Sequence, residues 1–338
     1  MNNTILFRFH FSSPLHISTV REDYDKSETV FHSDSLYAAI MQAWSVLGID
    51  IPDYQNQNIN FALSSLFPFY SSEQNATPLY FFPKPSGMFS KPDLKIHKKV
   101  KKIQYIESSL YFNLLSVKNV EIQESNIHGN FYLDPRKDKF DAKFIDSDVQ
   151  IRNSVSRTGE EDTKIYYLDR LYFKEHCGLF CVAQFENEEI KNKVIAALKY
   201  LKDEGIGTDR HVGNGLFDLG IDEKFDIPTP KQSDKTGFYT NLSLFCPENK
   251  ENLQEILSDD KISYQLIKRG GWITTEPYTT YRKKSVYMFA EGGIFKLNSD
   301  KNIETLGKTV NLKPEAEFLK VQHNIYRVGK SIFLPINI

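Results

Sequence analysis

The chain has 338 residues, of which 40% are hydrophobic and 25% charged, as in a globular protein with enough core for two domains. Its net charge is -2, whereas proteins that bind nucleic acid alone are usually basic, so any RNA contact requires a local patch. No stretch reaches the roughly 20 apolar residues of a membrane helix, and no signal-peptide pattern is present. We therefore expect a soluble, cytoplasmic protein without membrane contact.

Cysteine usage agrees with a reducing compartment. The three cysteines are Cys177, Cys181 and Cys246, an odd number that argues against a disulfide framework. Cys177 and Cys181 are four residues apart, but no second pair accompanies them. This favours buried apolar thiols over a metal clip.

The N-terminal segment predicts a strand followed by a helix. Apolar and polar residues alternate from Ile5 to Phe11, as in a half-buried strand with polar groups on its second face. Ser33 is the predicted N-cap of the helix, and Asp34 is favourable in its first turn. The predicted helix ends at Gly48, and its buried stripe contains Leu36, Ala39, Ile40, Ala43 and Leu47.

The region from residue 49 to about 164 is less regular. Leu79–Phe82 and Ser109–Leu115 are strand candidates. Several prolines interrupt any helix near residue 85, and a lysine run follows them. We interpret this region as insertions on a first domain.

Regular patterns return after residue 165. Tyr166–Tyr172 and Leu179–Phe185 predict strands, and Asn187 is the predicted N-cap of a helix. Its buried stripe contains Ile190, Val194, Ile195, Leu198 and Leu201. Residues 216–219 predict another strand. The order β-α-strands-α-β is that of a ferredoxin-like unit with insertions.

A second, smaller unit follows a linker at residues 228–236, which contain two prolines and polar residues. Its predicted strands are Tyr239–Phe245, Tyr264–Lys268, Ser285–Phe289 and Ile325–Leu334, and its predicted helix is Asn252–Leu257. The sequence thus predicts an α+β fold of two ferredoxin-like (RRM-like) domains. The first covers residues 1–225, with a thumb-like insertion at about 84–165, and the second, degenerate one covers 237–338.

A glycine-rich loop at residues 205–215 follows the second helix of the first domain. Glycine allows backbone N–H groups to turn toward one concavity, and phosphate oxygens are the usual ligands of such a surface. A dinucleotide fingerprint and a Walker A loop are excluded, because Arg210 stands where a glycine is needed and no Gly-Lys-Ser/Thr ends the loop. A flexible surface turn is the alternative. The candidate phosphate contacts are Gly205, Gly207, Thr208, Arg210, His211, Gly213, Asn214 and Gly215.

Two arginines form a second candidate site in the polar segment Arg152-Asn-Ser-Val-Ser-Arg157-Thr-Gly159. Guanidinium groups bind phosphates and bases of RNA well. Acidic residues follow Arg157 directly, so a solvated loop with weak surface ion pairs is the alternative.

These motifs together resemble the RAMP superfamily of CRISPR proteins. The resemblance rests on the arginine segment, on Tyr166-Tyr167 and on the glycine loop, in that order along the chain. Further segments resemble the Cas-five group, which includes the tag-binding subunits of type III-A Csm complexes. These segments are Phe31–Leu36, Leu79–Pro85 with the lysine run and Ile103–Ile106, Lys283–Gly293, and His323–Gly329.

The resemblance implies a non-catalytic subunit of a type III-A CRISPR interference complex that holds the repeat-derived 5′ tag of the guide RNA. The implied partners are the guide RNA, the large polymerase-like subunit and a backbone RAMP subunit, which this chain would link. A projecting thumb hairpin would contact target RNA indirectly. No cofactor or metal is expected, since no metal-ligand motif is present.

The predicted RNA-binding surface combines donors to phosphate, cationic side chains and stacking rings. It adds the helix start at His32 and Ser33 and the arginines Arg152 and Arg157 to the glycine loop. The lysines of the run are candidate thumb or target contacts: Lys98, Lys99, Lys101 and Lys102.

Three other functions remain open at this point. A RAMP endoribonuclease that processes repeat RNA would need a histidine-based site, for which His10, His16 and His32 are candidates. The equivalent subunit of a Cmr-type complex would have the same chemistry with other partners. A scaffold without RNA contact is the third.

Overall fold

The protein combines many short strands with a few helices. The computed structural model describes residues 4–18, 25–89, 96–117, 122–134, 136, 140–154, 164–228, 237–297, 305–315 and 320–338. The helices are α1 (Ser33–Val46), α2 (His97–Lys102), α3 (Ser108–Ser116), α4 (Glu188–Glu204) and α5 (Lys250–Ile256), with 3₁₀ turns at Glu124–Asn126 and Arg210–Val212.

The strands are distributed over both halves of the chain. The first half contains β1 (Thr4–Phe11), β2 (Phe61–Leu63), β3 (Phe67–Tyr70), β4 (Leu79–Pro83), β5 (Tyr105–Glu107), β6 (Ile127–His128), β7 (Phe131–Tyr132), β8 (Ile145–Ser154), β9 (Lys164–Phe173), β10 (Gly178–Phe185) and β11 (Phe217–Asp222). The second half contains β12 (Phe238–Asn241), β13 (Leu266–Arg269), β14 (Val286–Phe289), β15 (Ile294–Lys296), β16 (Thr305–Leu306), β17 (Thr309–Asn311), β18 (Tyr326–Val328) and β19 (Ser331–Pro335).

Strand β1 lies inside a large sheet with the order β11-β1-β10-β3-β4-β5-β7-β6, and β2 also pairs with β10. Both neighbours of β1 are antiparallel to it, so that Arg8 lies opposite Phe180 on β10 and Gly220 on β11. The predicted strands at the N-terminus and around residues 79, 166, 179 and 216 are confirmed. β2 and β3 were missed because each is too short for a periodic signal.

Both faces of this sheet are covered. Phe7 and Phe9 pack under α1 and α4, as the alternating pattern predicts. The prediction of a polar second face is wrong for Leu6, which is fully buried in a second core together with Phe82 and with Ile332 of the second half. Long-range packing of the second half against this face has no local signal in the sequence.

Helices α1 and α4 pack side by side on the first face. The indole N–H of Trp44 donates to the carbonyl oxygen of Lys193 at 2.9 Å and thereby ties the two helices together. The predicted cap of α4 is confirmed, because Asn187 Oδ1 accepts from the amide of Ile190 at 3.0 Å. α4 ends at Gly205, which has φ +81° and begins the glycine loop.

Two local predictions are wrong. Residues 108–116 form a helix instead of a strand: the side chain of Glu107 accepts from the amide of Ser109, and Tyr111 and Leu115 share one buried helical face. Ser33 is not the N-cap of α1. The N-cap position is His32, and the Ser33 hydroxyl accepts from the amide of Leu244 in the second half at 3.1 Å.

Strands β8 and β9 form a long hairpin arm paired from Ile145 opposite Phe173 to Ser154 opposite Lys164. Ten residues per strand correspond to about 33 Å. Leu15 pairs with Leu171 at the base of the hairpin arm. The predicted thumb-like insertion at 84–165 overlaps this arm only in part, since it also contains α2, α3 and β5 to β7.

The second half is built around a four-stranded sheet with the order β15-β12-β19-β16. The strand predicted from Ile325 to Leu334 is in fact two strands, because Gly329 and Lys330 interrupt it. The predicted linker lies mostly outside the described residues, at 229–236. All three cysteines are buried free thiols, as expected.

Backbone and hydroxyl hydrogen bonds join the two halves. The amide of Ser65 donates to the carbonyl of Leu242 at 2.9 Å, and the hydroxyl of Ser243 donates to the carbonyl of Leu63 at 2.7 Å. These bonds lie beside the start of α1. The position of α1 is therefore determined by both halves of the chain.

The cap of α4 can be tested directly. Replacement of Asn187 by Ala should lower the free energy of unfolding by about 1 kcal/mol, because the amide of Ile190 loses its acceptor. Asn187→Ser retains an acceptor and should remain close to the wild type. Urea denaturation measures the difference, and equal stability of the Ala and Ser variants would contradict this role.

Candidate nucleic-acid interface

The glycine loop, residues 205–215, folds against the segment that follows β1. The amide of Gly215 donates to the carbonyl of Pro14 at 2.7 Å, and the amide of Thr208 donates to that of His16 at 3.0 Å. The amide of Ile206 closes the loop on the carbonyl of Gly215. The loop is thus a built part of the fold and not a flexible turn.

Three of the four glycines are required by close backbone packing. A Cβ at Gly215 would lie 1.9 Å from the carbonyl oxygen of Ile206, and one at Gly207 would lie 2.5 Å from that of His16. Gly205 is similarly close to Asn214. All three have positive φ, so a side chain at these positions would be unfavourable both for the backbone conformation and because of the close contacts.

The predicted cradle of outward-facing amides is therefore corrected. The amides of Gly205, Gly213 and Gly215 donate to carbonyls of Leu201, Arg210 and Pro14 within the protein. Such amides are not free to bind a phosphate. The glycines shape the loop, and any ligand contact has to come mainly from its side chains and exposed tip.

The tip of the loop presents side chains to solvent. His211 and Gly213 are exposed, and Arg210 is half-buried on the 3₁₀ turn. The guanidinium Nη2 of Arg210 donates to Oε1 of Gln42, an exposed residue of α1, at 3.2 Å. Arg210 is thereby positioned along α1 with its charge at the surface.

Asn214 connects the glycine loop to the hairpin arm. Its side chain is buried, and its Oδ1 accepts from Nη1 of Arg170 on β9 at 3.4 Å. Arg170 also lies over the ring of Tyr172, 5.7 Å from its centre. Asn214 Nδ2 and Arg170 Nε have no hydrogen-bond partner among the described residues. Sequence reasoning missed Arg170, because an arginine within a strand pattern is usually a solvated side chain.

Arg152 lies on the same face of the hairpin arm as Arg170. It is paired with Tyr166, whereas Arg170 is opposite Asp148, so the two arginines are about 13 Å apart along the arm. Arg152 is half-buried. Arg157, the other predicted arginine, lies outside the described residues.

The opposite face of the hairpin arm is apolar and exposed. Ile151 is opposite Tyr167, and Ile165 and Val149 share their face. Ile151 and Ile165 are each 66% exposed, which is unusual for large aliphatic side chains. The arm is therefore polar toward the glycine loop and apolar on its other side.

Two predicted contacts are withdrawn, because His32 and Ser33 are buried at the contact between the two halves. The amide of Ser33 donates to Ser65 Oγ at 2.8 Å, and His32 Nδ1 is 2.8 Å from Glu291 Oε1. Burial alone would lower the pKa of His32, but the carboxylate of Glu291 and a hydrogen bond with Glu28 raise it to about 10. His32 is therefore a cation that holds the halves together.

The histidines proposed for a nuclease do not converge. His16 is fully buried, with Nδ1 2.6 Å from the carbonyl oxygen of Asp169, and His32 is protonated at neutral pH. His10 lies on β1 with its ring 4.9 Å from that of Phe69, and burial together with Arg8 lowers its pKa. A buried cationic His32 cannot serve as a general base.

The predicted thumb lysines lie on α2. Val100 faces the core, and the flanking lysines are exposed: Lys98, Lys99, Lys101 and Lys102. Lys99 Nζ is 2.6 Å from Glu124 Oε1, an exposed ion pair. These lysines form a basic surface apart from the hairpin arm.

Among the described residues, no helix has the length and apolar character needed to cross a membrane. The same part of the chain holds no group of three or more histidine, cysteine or acidic side chains that could bind a metal ion.

Known sequences that match this chain agree with the resemblance seen in its motifs. Residues 234–336 match the family described as the CRISPR Csm4 C-terminal domain. The chain is 26% identical over 368 residues to the CRISPR system Cms protein Csm4 of Methanocaldococcus jannaschii, covering 93% of this chain and 92% of that protein. A protein of the same name from Thermococcus onnurineus is 25% identical over 179 residues, 53% of this chain and 50% of that protein.

The fold is also similar to solved structures. A chain in the crystal structure of a Csm3-Csm4 subcomplex of the type III-A CRISPR-Cas interference complex superposes with a TM-score of 0.63, at 20% identity and full coverage of both chains. A chain in a Csm1-Csm4 cassette in complex with cA4 gives 0.57 at 17% identity, covering 99% of this chain and 98% of that one.

By sequence and by fold the chain is thus similar to Csm4 proteins of CRISPR systems. The resemblance found in its motifs is confirmed.

The loop geometry gives a matched pair of glycine variants. Gly215→Ala should cost several kcal/mol of unfolding free energy, because positive φ and a Cβ within 1.9 Å of the Ile206 oxygen both oppose it. Gly213→Ala has a similar φ of +85° but nothing within 4 Å, so it should cost only about 1 to 2 kcal/mol. Equal losses in thermal or urea unfolding would contradict the packing role of Gly215.

The charge of His32 gives a pH prediction. Its folded pKa of about 10 exceeds the ordinary value of 6.5, so its contribution to stability is complete below 6.5 and is lost as the pH rises toward 10. The difference in unfolding free energy between wild type and His32→Gln should therefore shrink over this range. A difference that is independent of pH would show that His32 is not charged in the folded protein.

Proposed function

We propose that the chain is a non-catalytic RNA-binding subunit of a type III CRISPR effector complex. In this proposal the glycine loop and the adjoining face of the hairpin arm hold the repeat-derived 5′ tag of the guide RNA. The observation that carries it is the arrangement of Arg210 and His211 at the exposed tip of a rigid loop, with Arg170 beside it on the arm.

The physical case rests on side chains and not on a cradle of amides. A single-stranded tag offers phosphates, base edges and ring faces. Arg210 keeps most of its guanidinium donors available beyond its bond to Gln42, and arginine binds phosphate in a bidentate manner. His211 is exposed beside it and can stack on a base. The net charge of -2 requires such a local patch.

The hairpin arm suits the role of a thumb. We assign its exposed apolar face, with Ile151 and Tyr167, to contact with the guide–target duplex, where aromatic and aliphatic side chains can pack against base pairs. The pairing of Leu15 with Leu171 anchors the base of the arm, so the direction in which its outer end projects is fixed relative to the sheet.

The proposed fold type is ferredoxin-like in both halves. Support comes from the first half, in which the order β11-β1-β10-β3, with α1 and α4 on one face, has the 4-1-3-2 pattern of a βαββαβ unit. The described part of the second half contains a smaller four-stranded sheet and one helix, in keeping with a degenerate copy.

The proposed partners are the large polymerase-like subunit and a backbone RAMP subunit, which this chain would link at the 5′ end of the guide. Similar folds occur in the structures of a Csm3-Csm4 subcomplex and a Csm1-Csm4 cassette, and the Csm4 family match favours a Csm-type over a Cmr-type assembly. We propose no catalytic role, because His16 and His32 are buried in structural contacts.

Arg210 is the first residue to test. In the complex assembled without guide RNA, Arg210→Ala should weaken tag binding by about 1.5 to 3 kcal/mol, because a charge-assisted contact is lost. Binding would be measured by titration with the tag RNA at several salt concentrations, and the salt slope should also fall by about one.

Arg136→Ala is the matched control, since its guanidinium is already paired with Asp134. It should leave affinity and salt slope unchanged. If Arg210→Ala behaved like Arg136→Ala, the glycine loop would not be the tag-binding site.

A further inference from the structure

A cluster of charges lies where the first turn of α1 meets the second half. We call it the junction cluster: Asp34, Arg269, Lys283 and Arg327. The carboxylate of Asp34 is completely buried, and Arg269 binds it in a bidentate manner. Nε of Arg269 donates to Oδ2 at 2.8 Å, and Nη2 donates to Oδ1 at 2.9 Å. Arg327 is farther away, with its Nε 3.4 Å from Oδ2.

The junction cluster has more cationic than anionic charge. Both oxygens of Asp34 already accept hydrogen bonds from Arg269. The single negative charge of Asp34 therefore has to compensate Arg327 and Lys283 as well. Arg327 Nε has no hydrogen-bond partner among the described residues, although its Nη2 donates to the carbonyl of Gly270 at 3.2 Å. Burial and the charge of Arg327 lower the pKa of Lys283 to about 8.

The carboxylates of Glu291 and Glu28 do not pair with Lys283. Glu291 and Glu28 are held by the protonated His32, at 2.8 and 3.5 Å, and act on Arg269. The charged groups that face Lys283 are Arg327 on β18 and Asp34 on α1. Lys283 is half-buried, whereas the Arg327 side chain is only 13% exposed and its Nε is buried, so an anion from solvent would reach the cluster from the side of Lys283.

One face of α1, from the half-buried Ser35 to the exposed Gln42, runs from the junction cluster to the glycine loop. Arg269 Nη2 donates to Ser35 Oγ at 3.0 Å, and Arg210 donates to Gln42 seven residues further along the same helical face. This spacing corresponds to roughly 10 Å along the helix axis. Between them lies the half-buried Ala39, whose small side chain does not project from this face of the helix.

We propose that Lys283 and Arg327 form a second phosphate-binding centre, which holds a backbone phosphate of the same single-stranded RNA that the glycine loop contacts. The strand then runs along this face of α1 between the two centres. This inference rests on the proposed function and adds the residues that bind the RNA beyond the loop. An excess of partly buried cations is stabilised when a phosphate neutralises it.

If Lys283 had only a structural role, Lys283→Met would lower the melting temperature and leave RNA affinity unchanged. We expect the opposite for stability: the ammonium of Lys283 is desolvated beside another cation, so Lys283→Met should leave the melting temperature unchanged or raise it. The phosphate-binding role predicts weaker RNA binding in a variant that is at least as stable as the wild type.

The experiment uses the full chain and a mixed-sequence, fluorescently labelled single-stranded oligoribonucleotide. Lys283→Met should weaken binding about tenfold or more in anisotropy titrations and should reduce the salt slope by about one. Lys284→Met is the matched control, because Lys284 is exposed, adjacent and already paired with Glu315. It should bind as the wild type does.

The outcomes separate this inference from the proposed function. If Lys283→Met binds like the wild type while Arg210→Ala is weakened, the second centre is refuted and the glycine loop stands. If the wild-type chain does not bind the RNA, the second centre is refuted, and the proposed function is decided by the Arg210→Ala titration in the complex. Free inorganic phosphate could be the ligand of this centre instead, and it is titrated in a separate experiment. If Lys283→Met weakens the binding of inorganic phosphate but not that of RNA, the assignment to RNA is overturned.

A pH series gives an independent check. Wild-type affinity should fall as the pH rises through about 8, because the Lys283 ammonium loses its proton. Lys283→Arg remains charged and should bind with a level profile over the same range. Parallel profiles for the two proteins would overturn the role of Lys283.

Discussion

The buried carboxylate of Asp34 constrains the whole arrangement. It lies in the first turn of α1 with no solvent contact, and it is ionised because Arg327 and Arg269 offset its burial and lower its pKa to about 2. Loss of one partner of such a group typically costs about 3 to 5 kcal/mol, since the other charge stays buried. Both arginines come from strands of the second half, so α1 can take its place only when the two halves are joined.

The position of α1 determines where the candidate RNA-binding groups lie. One end of the helix is held in the junction cluster, and its middle carries Gln42, which positions Arg210 of the glycine loop. Trp44 ties α1 to α4, and the loop begins where α4 ends. The loop is tied in turn to the hairpin arm through Asn214. Loop, arm and junction cluster are therefore parts of one frame, as expected of a surface that binds an extended strand.

Local signals in the sequence predicted much of this frame. The cap at Asn187, the stripe of α4 and the strands β1, β4, β10 and β11 of the central sheet were predicted from local patterns and are confirmed, whereas β2 and β3 were missed. The strand predicted at Ser109–Leu115 is wrong, because Glu107 caps a helix that apolar content alone did not reveal. His32 was predicted as an RNA contact, yet its partner Glu291 is 259 positions away in the chain. Such long-range pairing has no signature in a single sequence.

The glycine loop and the junction cluster show why residue type alone did not locate the site. Glycines suggest a ligand when their amides are free, but here Gly205 and Gly215 are explained by backbone packing, and the proposed RNA contact is the side chain of Arg210. Lys283 shows the opposite case, because burial and the neighbouring charge of Arg327 disfavour its ammonium and lower its pKa. A residue that opposes stability where no internal partner compensates it is typical of a binding site. Since the net charge of -2 gives no general attraction to RNA, affinity has to arise at such local excesses of positive charge.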